Sequence, residues 1–267
     1  MLLGGPHAIS EETYRADPGV NISSLKHFKD TPSKARRRID RPRQTSPAQA
    51  LGTAIHMAIL ERDRFLDSYA VKPDVDARTK AGKEALAAAR ESGKELLDKD
   101  EYEAALALSV KLREQPFFRQ FIEGGEYETS WFSRHEYGAR LKGRLDIWLP
   151  ARNIIVDIKT CESADEYQFG RDAWKYSYHA QAAYYCDLVA SVTKTKVDGY
   201  VILAVEKTED RDCRAFWIDN DLLENGRSLY RDWLAKWVAC EQTGTWPGYD
   251  KSLVTLSAPR WAQDQSF

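Results

Sequence analysis

Gly143-Arg144-Leu145-Asp146-Ile147-Trp148-Leu149 and Asn153-Ile154-Ile155-Val156-Asp157-Ile158-Lys159-Thr160 are the two runs whose reading decides this chain. Only Pro150-Ala151-Arg152 lies between them, so the pair is expected to form an antiparallel hairpin. A symmetric turn sets Leu149 against Ile154, Trp148 against Ile155, Ile147 against Val156 and Asp146 against Asp157. Because side chains alternate along a strand, Asp157 and Lys159 share one face while Ile154, Val156 and Ile158 share the other. Directly opposed residues bring their Cβ atoms to ~4.5–5.5 Å, where like charges are destabilising. Two aspartates placed this way among Ile, Val, Leu and Trp call for a compensating charge. A divalent cation supplies it most naturally, with Lys159 beside it. The competing reading is a surface Asp–Lys pair on an exposed sheet face. A one-residue slip of register would put the two carboxylates on opposite faces.

Carboxylate oxygens are hard ligands, suited to Mg²⁺ or its substitute Mn²⁺, ions that also take oxygens from a phosphate. Such an ion activates water and neutralises charge on phosphoryl oxygens, and an ammonium on the same face stabilises the transition state. The pattern therefore points to phosphodiester chemistry. His56 sits within Gly52-Thr53-Ala54-Ile55-His56-Met57-Ala58-Ile59-Leu60, the most apolar helical stretch of the N-terminal half. A lone histidine there is usually a hydrogen-bonded core residue, but imidazole is also a sound third ligand beside two carboxylates. Gly52 would let this helix approach the sheet closely. Gln181 and Tyr185 lie one helical turn apart on the same face. They offer an amide and a phenol to hold a catalytic carboxylate or a DNA phosphate, unless they simply pack the core. Glu128 is a strand carboxylate that either joins the metal shell or faces solvent.

Around these residues the chain reads as helical first and strand-rich second. Asn21, Thr31-Pro32 and Ser46-Pro47 open three helices, the last carrying His56, and two more are expected over residues 78–91 and 98–121. From Glu126 the period changes to strands at 127–132, 141–149 and 154–159, then 197–205 and 213–218. Helices at 178–191 and 222–240 interleave with these strands, and a loop-like tail starts at Gly244. The expected fold is a mixed α/β sheet core in one domain. Residues 1–122 form its helical extension, 123–243 the core and 244–267 the tail.

Composition excludes several classes. With 267 residues, 43% hydrophobic and 30% charged, the chain resembles an ordinary soluble globular protein with a sizeable core. No run approaches the ~18 apolar residues that span a bilayer, and Met1-Leu2-Leu3-Gly4-Gly5 lacks the parts of a signal peptide. No membrane association and a cytoplasmic location are expected. Cys161, Cys186, Cys213 and Cys240 are widely spaced, with no CxxC pair for zinc or an iron–sulfur cluster, so they read as ordinary thiols. The net charge of −2 does not advertise nucleic-acid binding. The run from Lys34 to Arg43 nonetheless holds six basic side chains against one acid, which suits a local phosphate-gripping rim as well as it suits a solvated helix end. Arg36, Arg37 and Arg38, with Ser23 and Ser24 at a helix start, are candidate DNA contacts.

Asp146 followed by Asp157-Ile158-Lys159 resembles the PD-(D/E)XK nuclease signature. The upstream Gly52-xxx-His56 helix and the downstream Gln181-xxx-Tyr185 resemble its RecB-type branch. Ile22-Ser23-Ser24-Leu25, the Tyr178–Tyr185 stretch and the Ser257-Ala258-Pro259-Arg260-Trp261 tail narrow the likeness to the nuclease domains of the RecE (exonuclease VIII) family. Leu145 stands where the superfamily name has Pro. The resemblance implies a PD-(D/E)XK nuclease core, with His56, Asp146 and Asp157 as metal ligands and Lys159 as the catalytic lysine. Gln181 and Tyr185 become the auxiliary motif. It further implies a Mg²⁺-dependent exonuclease, phage- or prophage-encoded, digesting linear double-stranded DNA 5′→3′. The 3′ single strands it leaves would serve a RecT-like annealing partner, and the enzyme would work as a tetrameric ring around DNA. Because the long N-terminal region of full-length RecE is missing, a stand-alone nuclease is expected. A structure-specific or single-strand endonuclease of the same superfamily, or a non-catalytic DNA-end-binding protein, are the alternatives.

Overall fold

The computed structural model describes residues 2–41, 46–208 and 210–257. Arg43 of the basic run and the Ala258–Trp261 part of the tail motif lie outside the described residues. The elements in chain order are β1 (Gly4–His7), α1 (Glu11–Ala16), α2 (Ile22–Leu25) with a 3₁₀ turn at Lys26–Lys29, and α3 (Pro32–Asp40). Next come α4 (Pro47–Leu60), α5 (Arg62–Ser68), β2 (Tyr69–Val71), α6 (Lys80–Glu91), β3 (Glu95–Leu97), α7 (Lys99–Glu114) and α8 (Pro116–Arg119). The second half runs β4 (Glu126–Arg134), β5 (Arg140–Leu149), β6 (Ile154–Cys161), α9 (Glu166–Lys175), α10 (Tyr178–Thr193), β7 (Gly199–Glu206), β8 (Cys213–Trp217) and α11 (Asn220–Thr243).

Caps place the early helices where the sequence puts them. The Asn21 and Thr31 side chains accept the amides of Ser24 and Lys34, and Ser46 forms a reciprocal capping box with Gln49. The single helix expected over 98–121 is two. It stops before Pro116, whose ring cannot continue the ladder and which instead opens α8. Three short strands, β1, β2 and β3, and the helix α9 were not expected. The first three are too brief to show a period, and β1 pairs with β4, which begins more than a hundred residues later.

One six-stranded sheet, ordered β1-β4-β5-β6-β7-β8, forms the centre, with β2 and β3 as a separate parallel pair. Only β6 and β7 run parallel within the large sheet; the other neighbours are antiparallel. Strict alternation along β6 and β7 divides the core in two. Ile155, Tyr200, Ile202 and Ala204 face α2, α10 and α11, while Ile154, Val156, Ile158, Val201, Leu203 and Val205 face α4 and α7. The expected α/β sheet flanked by helices is the observed one.

Helices α10 and α11 cross very closely. A Cβ added to Gly226 would lie 2.1 Å from the His179 carbonyl oxygen, so this approach exists only because residue 226 has no side chain. Asp187 on α10 then takes the Arg227 guanidinium and the Tyr230 hydroxyl from α11. Gly226→Ala is expected to destabilise by about 2 kcal/mol through overpacking, despite alanine's better helix propensity. Denaturant unfolding measures this, and a neutral or stabilising result would contradict the packing described.

Candidate active site

The hairpin register is the expected one for three pairs: Leu149 with Ile154, Trp148 with Ile155 and Ile147 with Val156. Its turn is the 3₁₀ segment Pro150–Arg152, closed by Asn153 in a left-handed conformation. The ladder then ends. Asp146 and Asp157 are not a paired position, which corrects the expected direct opposition. Instead the Ile158 amide donates to Asp146 Oδ2 at 2.7 Å, so a carboxylate fills the place of a strand partner where β5 and β6 splay apart.

A second irregularity lies beside it. On β5, Leu141 and Leu145 face α10, yet Ile147 and Leu149 face α4, although all four are an even number of residues apart. On β4, Trp131 and Tyr127 change sides in the same manner. The β4–β5 ladder pairs Tyr127 with Ile147 and Thr129 with Leu145 but skips Glu128 and Asp146 between them. Glu128 has φ of 50°, outside the β region, and so both strands turn over at the two acids. Backbone strain at such a residue has to be held by its surroundings.

His56 arrives from α4 on the other side. Its Nδ1 lies 3.6 Å from Asp146 Oδ2, and one ligand atom each from His56, Glu128 and Asp146 lie within 4.8 Å of one another. Gly52, one turn before His56, sits where a Cβ would come within 3.2 Å of Thr160 Oγ1, so α4 does approach β6 closely, as anticipated. Burial and the neighbouring Asp146 push the Glu128 carboxyl up to about 8. Burial and Asp157 likewise raise Asp146 above its ordinary range. Carboxylates crowded and desolvated in this way are short of positive charge, and a set of one imidazole and two carboxylates suits a divalent metal ion. The residues present fit such an ion.

Asp157 is outside that trio because its side chain projects from the other face of β6, toward α10. There Gln181 Nε2 donates to its Oδ1 at 2.9 Å, and Lys159 forms an ion pair with its Oδ2. Burial alone would lower the Lys159 ammonium. The charges of Asp157 and Asp146 outweigh that and hold it above its usual value, so it stays protonated. Tyr185 lies on the same helix as Gln181, its ring against Gly143, where an added Cβ would come within 2.9 Å. Burial raises its hydroxyl well above the ordinary range. Gln181 thus holds a carboxylate, as anticipated, whereas Tyr185 packs against β5.

Among the described residues, none of the expected DNA contacts is hydrogen-bonded or ion-paired to this cluster. Ser23 is exposed on α2, and the Ser24 amide is used by the Asn21 cap. Arg36 pairs with Asp40 at 2.8 Å and Glu241 at 3.4 Å, and Arg38 pairs with Asp30 at 2.7 Å. Among the described residues, Arg37 alone of the three has no acidic partner within 4 Å. Sequence reasoning missed two residues that the fold brings in. Lys26, just after α2, donates to Gln181 Oε1 at 2.9 Å. The Tyr178 ring lies 5.1 Å from the Lys159 ammonium and 5.5 Å from that of Lys26. The only sequence signal for Lys26 was its place directly after the Ile22–Leu25 stretch.

A family model described as a PDDEXK-like domain of unknown function (DUF3799) matches residues 21–253. The chain is similar over 98% of its length to the whole of a solved Eubacterium rectale protein called a "Putative exonuclease", with a TM-score of 0.65 and 14% identity. A phage-related exonuclease from Haemophilus somnus 129PT matches at a TM-score of 0.35 and 14% identity, over 72% of this chain and 95% of that one. The first likeness is one of fold. No curated protein matches the chain significantly.

Saturating Mn²⁺ or Mg²⁺ is expected to raise the melting temperature by about 5 °C, since binding only to the folded state adds ~2–3 kcal/mol at a hundredfold excess over Kd. Asp146→Ala and His56→Ala should lose that increment. An equal rise in both variants would place the ion elsewhere.

Proposed function

Because the chain belongs to the PDDEXK-like DUF3799 family, we propose that it is a metal-dependent DNA nuclease of PD-(D/E)XK type. Within that class we read it as a RecE-like exonuclease acting on the ends of linear double-stranded DNA, 5′→3′, with Mg²⁺ as its ion. The observation that carries the reading is Asp157 fixed between Lys159 and Gln181, immediately beside the His56, Glu128 and Asp146 donors. That likeness also suggests a single-strand annealing protein as partner and a ring of identical subunits as the working form.

His56, Glu128 and Asp146 would hold the ion, while Asp157, which the resemblance adds as a further ligand, anchors Lys159 from the opposite face of β6. When bound, the ion supplies an activated water and a counter-charge for the phosphoryl oxygens. The protein's own groups do the rest. Hydrolysis breaks a P–O bond as water adds to phosphorus, and negative charge grows on the phosphoryl oxygens. Lys159 is held charged by its carboxylate neighbours, which makes it a donor to that growing charge rather than a proton acceptor. Asp157 fixes the ammonium, and Gln181 fixes Asp157 in turn. The apolar walls of β5 and β6 behind these groups strengthen each of these interactions by excluding water.

Lys159→Ala is expected to lower kcat on a linear duplex by at least about 10²-fold, as removal of an oxyanion donor does elsewhere, while circular dichroism stays unchanged. Unaltered turnover would remove Lys159 from the mechanism. A linear duplex labelled at either the 5′ or the 3′ end, digested with and without Mg²⁺, reports polarity and metal need together. Early release of the 5′ label is the expected result. Cleavage of a covalently closed plasmid would turn the reading toward an endonuclease.

A further inference from the structure

Lys26 is a cation beside the Asp157–Lys159 pair that the proposed chemistry leaves without a task. The residue is half-buried, and the hydrogen-bond partner of its ammonium is a neutral amide, Gln181 Oε1 at 2.9 Å. Among the described residues it has no carboxylate within 4 Å, in contrast to Lys159 a short distance away, which has Asp157. Removing an ammonium from water without a counter-charge is costly. Burial and the repulsion of Lys159, only partly offset by the more distant Asp157 carboxylate, push Lys26 down to about 7, so the fold holds this charge at a disadvantage.

Three contacts fix where the group points. Gln181 can accept only through its oxygen, and its NH₂ is committed to Asp157 at 2.9 Å. An ammonium only donates, so both ends of the amide are matched to their neighbours, and Lys26 is tethered toward the Asp157–Lys159 pair. The Tyr178 ring lies 5.5 Å from Lys26 and 5.1 Å from Lys159, so the two ammoniums share one aromatic neighbour. One proton of Lys26 goes to Gln181, and two remain for an incoming acceptor.

We propose that Lys26 is a substrate-binding residue whose missing counter-charge is a backbone phosphate of the nucleic acid, taken up by the Lys26 and Lys159 ammoniums around the Tyr178 ring. The inference rests on the nuclease reading and adds a residue to it. Lys26 does not touch the breaking bond; it holds the strand that Lys159 acts on. A phosphodiester bound there relieves the repulsion between the two lysines and supplies the charge that the protein withholds.

The experiment uses the full chain with Mg²⁺ and a linear duplex, with kcat and KM measured across a range of salt concentrations for wild type, Lys26→Met and Lys26→Arg. Lys26→Met keeps the stem and removes the charge. It is expected to raise KM about tenfold, the worth of one charged hydrogen bond. The slope of log KM against log salt should fall by about 1, the signature of one lost phosphate contact. Lys26→Arg should recover the slope. A purely structural tether for Gln181 would instead lower kcat or the melting temperature of Lys26→Met and leave the salt slope at its wild-type value, and that result overturns the inference. So does a Lys26→Arg variant whose slope stays as low as that of Lys26→Met. A wild-type protein that cleaves no DNA defeats the nuclease reading itself, whereas cleavage by wild type with an unchanged Lys26→Met defeats only the role of Lys26.

Discussion

A backbone amide that has lost its strand partner organises this structure. After the Ile147–Val156 pair, β5 and β6 separate, and the Ile158 N–H is met by the Asp146 carboxylate rather than by a carbonyl. A buried amide must find an acceptor, and an ionised carboxylate is a strong one. The bond therefore does two things. It lets the sheet open at its centre without leaving a donor stranded, and it fixes an acid in the gap. Glu128 and His56 collect around that acid from β4 and α4. Asp157 and Lys159 flank it from the far face of β6.

The same arrangement carries its own cost. Glu128 and Asp146 are both raised by burial and by carboxylate neighbours, and Glu128 also sits at a φ of 50°. None of these features favours the folded state by itself. The surrounding core compensates: Ile147, Val156, Ile158, Val201 and Leu203 are almost fully buried against α4 and α7, and Leu145, Ile155 and Ile202 against the opposite helices. Unfavourable charge is thereby concentrated where two hydrophobic clusters meet, an arrangement typical of functional sites.

Much of this was legible in the chain, for identifiable reasons. The β5–β6 register followed from a three-residue turn and from side chains that alternate with a period of two, both local properties. The His56 helix was legible because Ser46-Pro47 and an apolar stripe mark it, and Gly52 signalled close approach. What stayed hidden depends on distant parts of the fold. The left-handed Glu128 has no local marker, because a glutamate adopts that conformation only when neighbouring strands impose it. Asp157 was expected to lie opposite Asp146, but the end of a ladder cannot be read from alternation. Lys26 matters only because α10 brings Gln181 to it, and the exposed Arg36 and Arg38 turned out to be paired with Asp40, Glu241 and Asp30.

The contact between Lys26 and Gln181 joins residues 155 positions apart in the chain. Between them the chain must complete α4, the β4–β5–β6 meander and the crossover through α9 and α10 that a parallel β6–β7 pair demands. The site is thus non-local, and the loop-closure entropy of long-range pairing has to be met before its members gather. No N-terminal fragment ending before α10 contains a complete set of these groups. During synthesis the groups that gather around Asp146 and Asp157 cannot meet until α10 has been made, so the whole cluster forms in one late step rather than piece by piece.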